Sequence, residues 1–166
     1  MNLVALLDEG LVKIPLEGLT KDEVIAELAE LLVRAGKVKD REGMLDALMA
    51  REDKGSTGIG GSVAIPHARS AELQGIVLAV GVSPEGAEFD AVDDQPVHLV
   101  FLLMGAASRP ELNIEALADI GALVQTPGNY RKLVQAPDAR SLIQLLADAQ
   151  NAGNSYERRD RTAARG

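Results

Sequence analysis

The chain has 166 residues, of which 46% are hydrophobic and 2% aromatic, and its formal net charge is −8. This length suits one domain with an aliphatic core, and the acidic charge argues against nucleic acid or an anionic membrane as a partner. With no cysteine and two histidines, disulfides, thiolate nucleophiles and cysteine zinc sites are excluded, and a histidine-rich metal site is disfavoured. The absence of cysteine fits a reducing cytoplasm.

The first residues of the chain do not resemble a targeting segment. Residues 1–19 are apolar overall but include Asp8, Glu9 and Lys13, and they lack a basic start followed by a long apolar stretch. No signal peptide is therefore predicted. No segment reaches the roughly 20 apolar residues that a membrane-spanning helix needs.

Two helices are predicted next. Thr20 and Glu23 form a capping-box pattern, and apolar residues then recur at helical spacing until Gly36, which predicts a helix over residues 20–35. A second helix is predicted over residues 40–53. Its expected core-facing residues are Leu45, Leu48 and Met49.

The middle of the chain carries strand patterns. Residues 63–65 form a short apolar strand candidate that ends at Pro66. Residues 75–82 and 97–104 are longer apolar runs rich in β-branched residues, as is typical of strands buried on both faces. The acidic segment 83–94 between them is predicted to be a turn-rich connection.

The last third of the chain is predicted to be helical. Ser108 and Glu111 form a second capping box and predict a helix over residues 109–125. A short helix over residues 128–135 and another starting near Asp138 follow. The residues expected to be buried are Leu112, Leu117, Ile120 and Leu123 in the first, and Leu142, Leu145, Leu146 and Ala149 in the last.

These elements predict a single domain over residues 1–150. Because helices and buried strands interleave, the predicted fold class is α/β or α+β, with a mixed β-sheet flanked by helices. Residues 151–166 show no apolar periodicity and are interpreted as a disordered tail or a remnant of cloning.

The chemically dense region is residues 51–69, REDKGSTGIGGSVAIPHAR. Its glycine spacing matches parts of two nucleotide motifs, but neither is complete. Gly61 stands where a P-loop has its lysine, which supplies the fixed positive charge on the phosphates. Val63 stands where a dinucleotide fingerprint has its third glycine. A nucleotide site is therefore disfavoured.

The same region can hold an anion beside a nucleophile. An imidazole with a pKa near 6.5 is partly neutral at cellular pH, so His67 can act as a nucleophile. Arg51 can supply a guanidinium fork suited to phosphate. Glycine N–H groups and hydroxyls add further donors. The candidate phosphate-binding residues are Ser56, Thr57, Gly58 and Arg69. A histidine after proline is also ordinary in a surface loop, so composition alone leaves both interpretations open.

The other polar candidates favour structural roles. His98 begins the predicted strand 97–104 and is interpreted as a structural or solvent-facing histidine. Asp90, Asp93 and Asp94 lack the spacing of a calcium loop and are interpreted as a solvated turn. No metal and no cofactor is predicted.

Beyond these residue types, the stretch GSTGIGGSVAIPHAR resembles a family signature. It is similar to the region around the phosphorylated histidine in IIA proteins of the fructose/mannitol-type sugar phosphotransferase system, including the nitrogen-regulatory branch. Arg51-Glu52 fits the same pattern, and FDAVDDQPVHLVFLL resembles the next landmark of that family. The similarity extends over about residues 2–148. It implies helices packed around a mixed β-sheet.

The resemblance also implies a function. His67 would accept phosphate from phosphorylated HPr and pass it to a IIB domain, which is linked to a membrane IIC sugar transporter. Arg51 would orient and neutralise the phosphoryl group. No nucleotide or metal would be needed, since the phosphate arrives on another protein in the cytoplasm. The alternative is a regulatory IIA-like protein that uses histidine phosphorylation as a switch for binding other proteins.

Two departures from the family pattern stand out. Gly60-Gly61-Ser62 replaces the usual Gly-Asn-Gly. Asn113 occupies the position where many members carry a second histidine. An asparagine can hydrogen-bond a phosphate or the ring of His67, but it cannot carry a titrating proton or a positive charge.

Overall fold

A computed structural model describes the backbone of residues 1–163 and the side chains in that range except those of 156–159 and 161–163. One mixed sheet of six strands lies between two layers of helices. Apolar side chains fill the space on both faces of the sheet, so the domain has two cores separated by the strands. The predicted fold class is confirmed.

The five predicted helices and the three predicted strands occur in the predicted order. The helices are α1 (Lys21–Arg34), α2 (Arg41–Glu52), α3 (Pro110–Gln125), α4 (Asn129–Val134) and α5 (Ala139–Ala163). The strands are β1 (Val12–Lys13), β2 (Gly58–Gly60), β3 (Val63–Ala64), β4 (His67–Ser70), β5 (Ile76–Ala87) and β6 (Val97–Ala106). Three short strands that were not predicted, β1, β2 and β4, complete the sheet.

Strand β6 is the centre of the sheet. It pairs antiparallel with β5 on one edge and parallel with both β3 and β4 on the other. Strand β1 adds to β5, and β2 adds to β3. Alternate residues of β6 enter opposite cores, because successive strand side chains point to opposite faces. Val100, Leu102 and Met104 pack on the α1/α2 side, whereas Leu99, Phe101 and Leu103 pack on the side of α3, α4 and α5.

The segment around His67 differs from the prediction. Strand β3 ends at Ala64. Pairing along the same edge of β6 resumes with β4, which begins at His67. The Leu103 N–H donates a 2.9 Å hydrogen bond to the Pro66 carbonyl, which carries the ladder across the gap. The sequence of β4, HARS, is short and polar, so it has no strand periodicity to recognise. His67 therefore lies on the sheet rather than in a loop.

The two capping boxes have different outcomes. Thr20 does cap α1, because its side chain accepts from the Glu23 N–H at 3.4 Å. The predicted cap at Ser108 is wrong: α3 begins after Arg109, with no side-chain cap. Its buried stripe also differs from the predicted one, since Leu112 is partly exposed and Asn113 is buried. The small side chain of Ala116, one turn further, lets this face approach the sheet closely.

The end of α5 also differs from the prediction. The helix continues through residues 151–163, which were expected to lack regular structure. Extending an existing helix avoids the cost of nucleation, and this segment contains helix-favouring Glu, Arg and Ala residues. Residues 164–166 of the predicted tail lie outside the described residues. Within the described chain, none of the helices combines the length and apolarity of a membrane span.

Candidate active site

The candidate active site is a cleft between the end of α2 and the beginning of α3, with β4 as its floor. The cleft brings His67 together with three of the other predicted site residues, Arg51, Arg69 and Asn113. Its other lining residues are Ala47, Ala50, Lys54, Ala68, Ala107, Pro110, Ile114 and Leu117.

The ring of His67 has a defined tautomer. Its Nδ1 lies 2.7 Å from the Ile65 carbonyl oxygen. A carbonyl oxygen can only accept, so Nδ1 carries the proton and donates this bond. The lone pair of the neutral ring is therefore on Nε2. An imidazole held in this way presents a single nucleophilic nitrogen.

The surroundings of His67 favour the neutral ring. Burial is the largest cause that lowers the pKa of His67 below the ordinary value of 6.5, and the positive charge of Arg51 acts in the same direction. The hydrogen bond to Ile65 and the negative charge of Glu52 oppose this lowering but do not cancel it. At neutral pH the Nε2 lone pair is available without prior loss of a proton.

Three cations line the same cleft in a chain whose net charge is −8. Arg51 lies in the last turn of α2, where a cation complements the helix dipole. Its Nη1 donates to the Gly55 carbonyl at 2.8 Å, which fixes the guanidinium beside the turn that follows the helix. Lys54 and Arg69 are exposed at the rim. Such a group of cations can bind a phosphoryl group and neutralise part of its charge.

The predicted phosphate cradle of Ser56, Thr57 and Gly58 has other partners in the structure. The Ser56 hydroxyl donates to the Phe89 carbonyl and accepts the Gly58 N–H at 3.0 Å. The Thr57 N–H and hydroxyl both donate to the Glu52 carboxylate. None of the three lines the cleft. In this structure these donors form hydrogen bonds within the protein, and their assignment to phosphate stays a prediction.

Asn113 has a different contact from the one predicted. Its Nδ2 donates to the Ala68 carbonyl at 3.2 Å, so it holds the backbone next to His67 rather than the imidazole ring. Its side chain is 6% exposed, and among the described residues its Oδ1 has no hydrogen-bond partner. That oxygen lies against Gly105, where a Cβ atom would overlap it. The observed position of the Asn113 side chain therefore requires a residue without a Cβ atom at position 105.

Sequence reasoning missed Glu52, which is 4% exposed near the end of α2. Both of its carboxylate oxygens accept from Thr57. A signal was present in the sequence, because an acidic side chain in the last turn of a helix opposes the helix dipole. Such a residue needs compensating donors nearby, and Thr57 supplies them.

The remaining candidates lie outside the cleft. His98 Nδ1 is bonded to the Ser83 carbonyl across the β5–β6 ladder at 2.7 Å, as a structural histidine would be. Asp93 accepts the N–H groups of Gly61 and Gln95 and so organises a turn. In the described part of the chain, no group of three or more His, Asp or Glu side chains is arranged to hold a metal ion.

The fold and the cleft define a helix-flanked mixed-sheet protein in which one histidine shares a cleft with Arg51, Lys54 and Arg69. The family model for the EIIA 2 component of the phosphoenolpyruvate-dependent sugar phosphotransferase system matches residues 5–149. The chain belongs to this family, whose members act as phosphoryl carriers.

The relatives of this chain include both fructose-specific components and nitrogen regulatory proteins. A fructose-specific EIIA component from Haloferax volcanii is 34% identical over 78% of this chain and 84% of its own length. A nitrogen regulatory protein from Pseudomonas aeruginosa is 33% identical over 91% of this chain and 98% of its own length. A fructose-specific EIIABC component from Bacillus subtilis is 32% identical over 88% of this chain, which spans only 23% of that longer protein.

Solved structures share the fold. The nitrogen regulatory protein IIA-Ntr from Neisseria meningitidis superposes with a TM-score of 0.79 at 27% identity, covering 86% of this chain and 97% of that one. The mannitol IIA enzyme of Escherichia coli, solved in complex with phosphorylated IIB, superposes with a TM-score of 0.72 at 23% identity, covering 86% of this chain and 97% of that one.

Proposed function

We propose that this protein carries a phosphoryl group on Nε2 of His67, accepting it from phosphorylated HPr and passing it to a IIB domain in the cytoplasm. The observation that supports this proposal is the neutral His67 ring, whose Nδ1 proton is held by Ile65 in a cleft with Arg51, Lys54 and Arg69. Family membership supplies the reaction type.

The transfer is balanced without a metal, a nucleotide or an added base. The Nε2 lone pair attacks phosphorus, and a nitrogen–phosphorus bond forms on His67. The bond from phosphorus to the donor nitrogen breaks, and its electron pair returns to the donor ring. The His67 ring becomes positively charged because it keeps its Nδ1 proton. The Ile65 carbonyl, at 2.7 Å, stabilises that charge.

The cations of the cleft would act on the group in flight. Charge on the transferring phosphoryl group is spread over its oxygens, and catalysis consists largely of positioning and electrostatic stabilisation. Arg51 is held by Gly55 before any phosphate arrives, so its orientation costs little at the moment of transfer. Lys54 and Arg69 at the rim meet the acceptor and donor proteins.

The surface around the cleft suits docking by a protein. Ile114 is 70% exposed and lies on α3 beside the site. The alanines of α2 and Pro110 of α3 make the neighbouring surface smooth and apolar. An apolar centre with cations at its edge fits a protein partner that brings a negatively charged phosphoryl group.

A regulatory role is the second candidate. The relative from Pseudomonas aeruginosa matches this chain over 98% of its own length and is named for nitrogen regulation. Asn113, which cannot titrate, replaces the second histidine of many family members. Phosphorylation of His67 would add about two negative charges to the cleft, enough to change which proteins bind there.

The experiment that tests the proposal has two stages. The protein is incubated with phosphorylated HPr, and acid-labile phosphate is measured by intact mass and located by peptide mapping. We expect one phosphoryl group on His67. Absence of label, under conditions that phosphorylate an authentic IIA protein, would contradict the carrier role.

The second stage separates transport from regulation. Labelled protein is mixed with a panel of IIB domains, and loss of label is followed over time. Discharge to a IIB domain supports the transport relay. Stable label with every IIB domain, together with phosphorylation-dependent binding to another protein, supports the switch instead.

A further inference from the structure

Glu52 is a buried carboxylate without a cationic partner. It is 4% exposed, and within the described residues no lysine or arginine nitrogen forms an ion pair with it. Burying an unpaired charge is costly unless hydrogen bonds compensate. Among the described residues, Thr57 supplies the hydrogen bonds to this carboxylate: its N–H lies 3.2 Å from Oε2 and its hydroxyl donates to Oε1.

A continuous path of hydrogen bonds connects this pair to His67. The Thr57 carbonyl accepts the Ile65 N–H at 3.0 Å. The Ile65 carbonyl in turn accepts the Nδ1 proton of His67 at 2.7 Å. The Ile65 N–H and carbonyl lie in two peptide planes that meet at the Ile65 Cα, so anchoring Ile65 to Thr57 restrains where its carbonyl lies.

We propose that Glu52 and Thr57 are a positioning pair that determines which ring nitrogen of His67 carries the proton. The inference rests on the proposed function, since a fixed Nδ1 proton matters only if Nε2 is the nucleophile. The pair acts through the Ile65 backbone and touches neither the ring nor a phosphoryl group. The carboxylate also places a negative charge close enough to favour the cationic ring that forms when Nε2 is phosphorylated.

The variants that test this keep the shape of the site. Glu52→Gln removes the charge, and its amide cannot accept both Thr57 donors through a two-oxygen fork. Thr57→Val removes only the hydroxyl. Thr57→Ser retains the hydroxyl and is the rescue variant. Glu42→Gln makes the same chemical change at an exposed position on the same helix and is the matched control.

The main measurement is the nitrogen NMR spectrum of the His67 ring in the unphosphorylated protein. The wild type should show a protonated Nδ1 and an unprotonated Nε2 above the titration range of the ring. Glu52→Gln and Thr57→Val should shift population towards the Nε2–H tautomer, and phosphorylation by HPr should slow about tenfold. Thr57→Ser and Glu42→Gln should retain the wild-type spectrum and rate.

Several outcomes would overturn the proposal. Folded Glu52→Gln and Thr57→Val proteins with the wild-type tautomer would show that the pair does not control the ring. Loss of folding in both would also overturn it, because the pair would then be a general determinant of the fold. A tautomer shift in a protein that HPr never phosphorylates would support the pair and contradict the carrier function, so the two failures are distinguishable.

Discussion

His67 on β4 and His98 on β6 lie on paired strands of one sheet, and each donates its Nδ1 proton to a backbone carbonyl at 2.7 Å. Their surroundings differ. His67 opens into a cleft with three cations, whereas His98 bonds to Ser83 beside the β5–β6 connection that carries Asp90, Asp93 and Asp94. The shared hydrogen bond sets the tautomer in both rings. What separates a candidate nucleophile from a structural histidine here is the charge around the ring.

The largest expected effect comes from exchanging each histidine for glutamine. His67→Gln should lose all acid-labile phosphate, because the nucleophilic nitrogen is gone. His98→Gln should keep the label, since its amide can still donate to the Ser83 carbonyl. Intact-mass spectrometry after incubation with phosphorylated HPr measures both. Acid-labile phosphate on His67→Gln, or its absence from folded His98→Gln, would contradict the distinction drawn between His67 and His98.

The next effect tests the cations. Arg51→Gln should slow phosphorylation about 100-fold, since one preorganised donor to developing charge is removed. Arg41→Gln is the matched control, because Arg41 lies on the same helix but forms an exposed ion pair with Glu30 at 3.0 Å. Its rate should stay within roughly twofold of wild type, because an exposed ion pair contributes little. Equal rates for both variants would mean that charge in the cleft does not distinguish His67.

A third test uses one glycine near each histidine. A Cβ at Gly105 would overlap Asn113 Oδ1, and one at Gly86, where φ is +85°, would lie 2.8 Å from Pro96 Cβ. Either alanine should lower the free energy of unfolding by about 1–3 kcal/mol. Only Gly105→Ala should also slow phosphorylation, because Asn113 holds the Ala68 carbonyl next to His67.

Urea unfolding and the phosphorylation rate together check this prediction. Adding Asn113→Ala to Gly105→Ala should recover part of the lost stability, because the overlapping oxygen is removed. If Gly86→Ala slowed phosphorylation as much as Gly105→Ala, the two ends of the sheet would not be independent.

The smallest effect concerns pH. Burial lowers the pKa of His67 below 6.5, so Nε2 should remain unprotonated to a lower pH than in an exposed histidine. The unfolded chain binds this proton more readily than the folded one, so stability is lost as pH falls through the lowered pKa.

Proton NMR of the His67 ring gives the midpoint directly. Urea unfolding at a series of pH values should show that His67→Gln lacks this part of the pH dependence. A His67 midpoint at or above 6.5 would contradict the buried, cation-flanked environment described for this ring.

Much of the fold could be predicted from local patterns. The helices 20–35 and 40–53 and the apolar strands 75–82 and 97–104 were found because their periodicity or β-branched composition is strong. The short strands β1, β2 and β4 were missed for the opposite reason. Strand β4 has four residues of mixed polarity, and it forms because its backbone can pair with that of β6. Such pairing is a tertiary effect that no local pattern encodes.

The candidate site was only partly predictable. Residue type and resemblance indicated His67, Arg51, Asn113 and Arg69, and the structure brings these four into one cleft. Their exact partners were beyond the sequence. Ser56 and Thr57 have suitable hydroxyls, but whether a hydroxyl faces phosphate or a neighbouring carbonyl depends on how the loop closes. The roles assigned to individual residues remain predictions until the variants are measured.

The interruption between β3 and β4 at Pro66 bears on how a partner protein could recognise the state of His67. Since β4 resumes at His67 and pairs with the central strand β6, the backbone of the residue proposed to carry phosphate is attached to a buried part of the sheet. A backbone attached in this way can change little between the loaded and unloaded forms. If His67 carries phosphate as proposed, a partner would distinguish the two forms by the charge and volume of the phosphoryl group at one point on the surface. The protein would then signal its phosphorylation state without a rearrangement of its backbone.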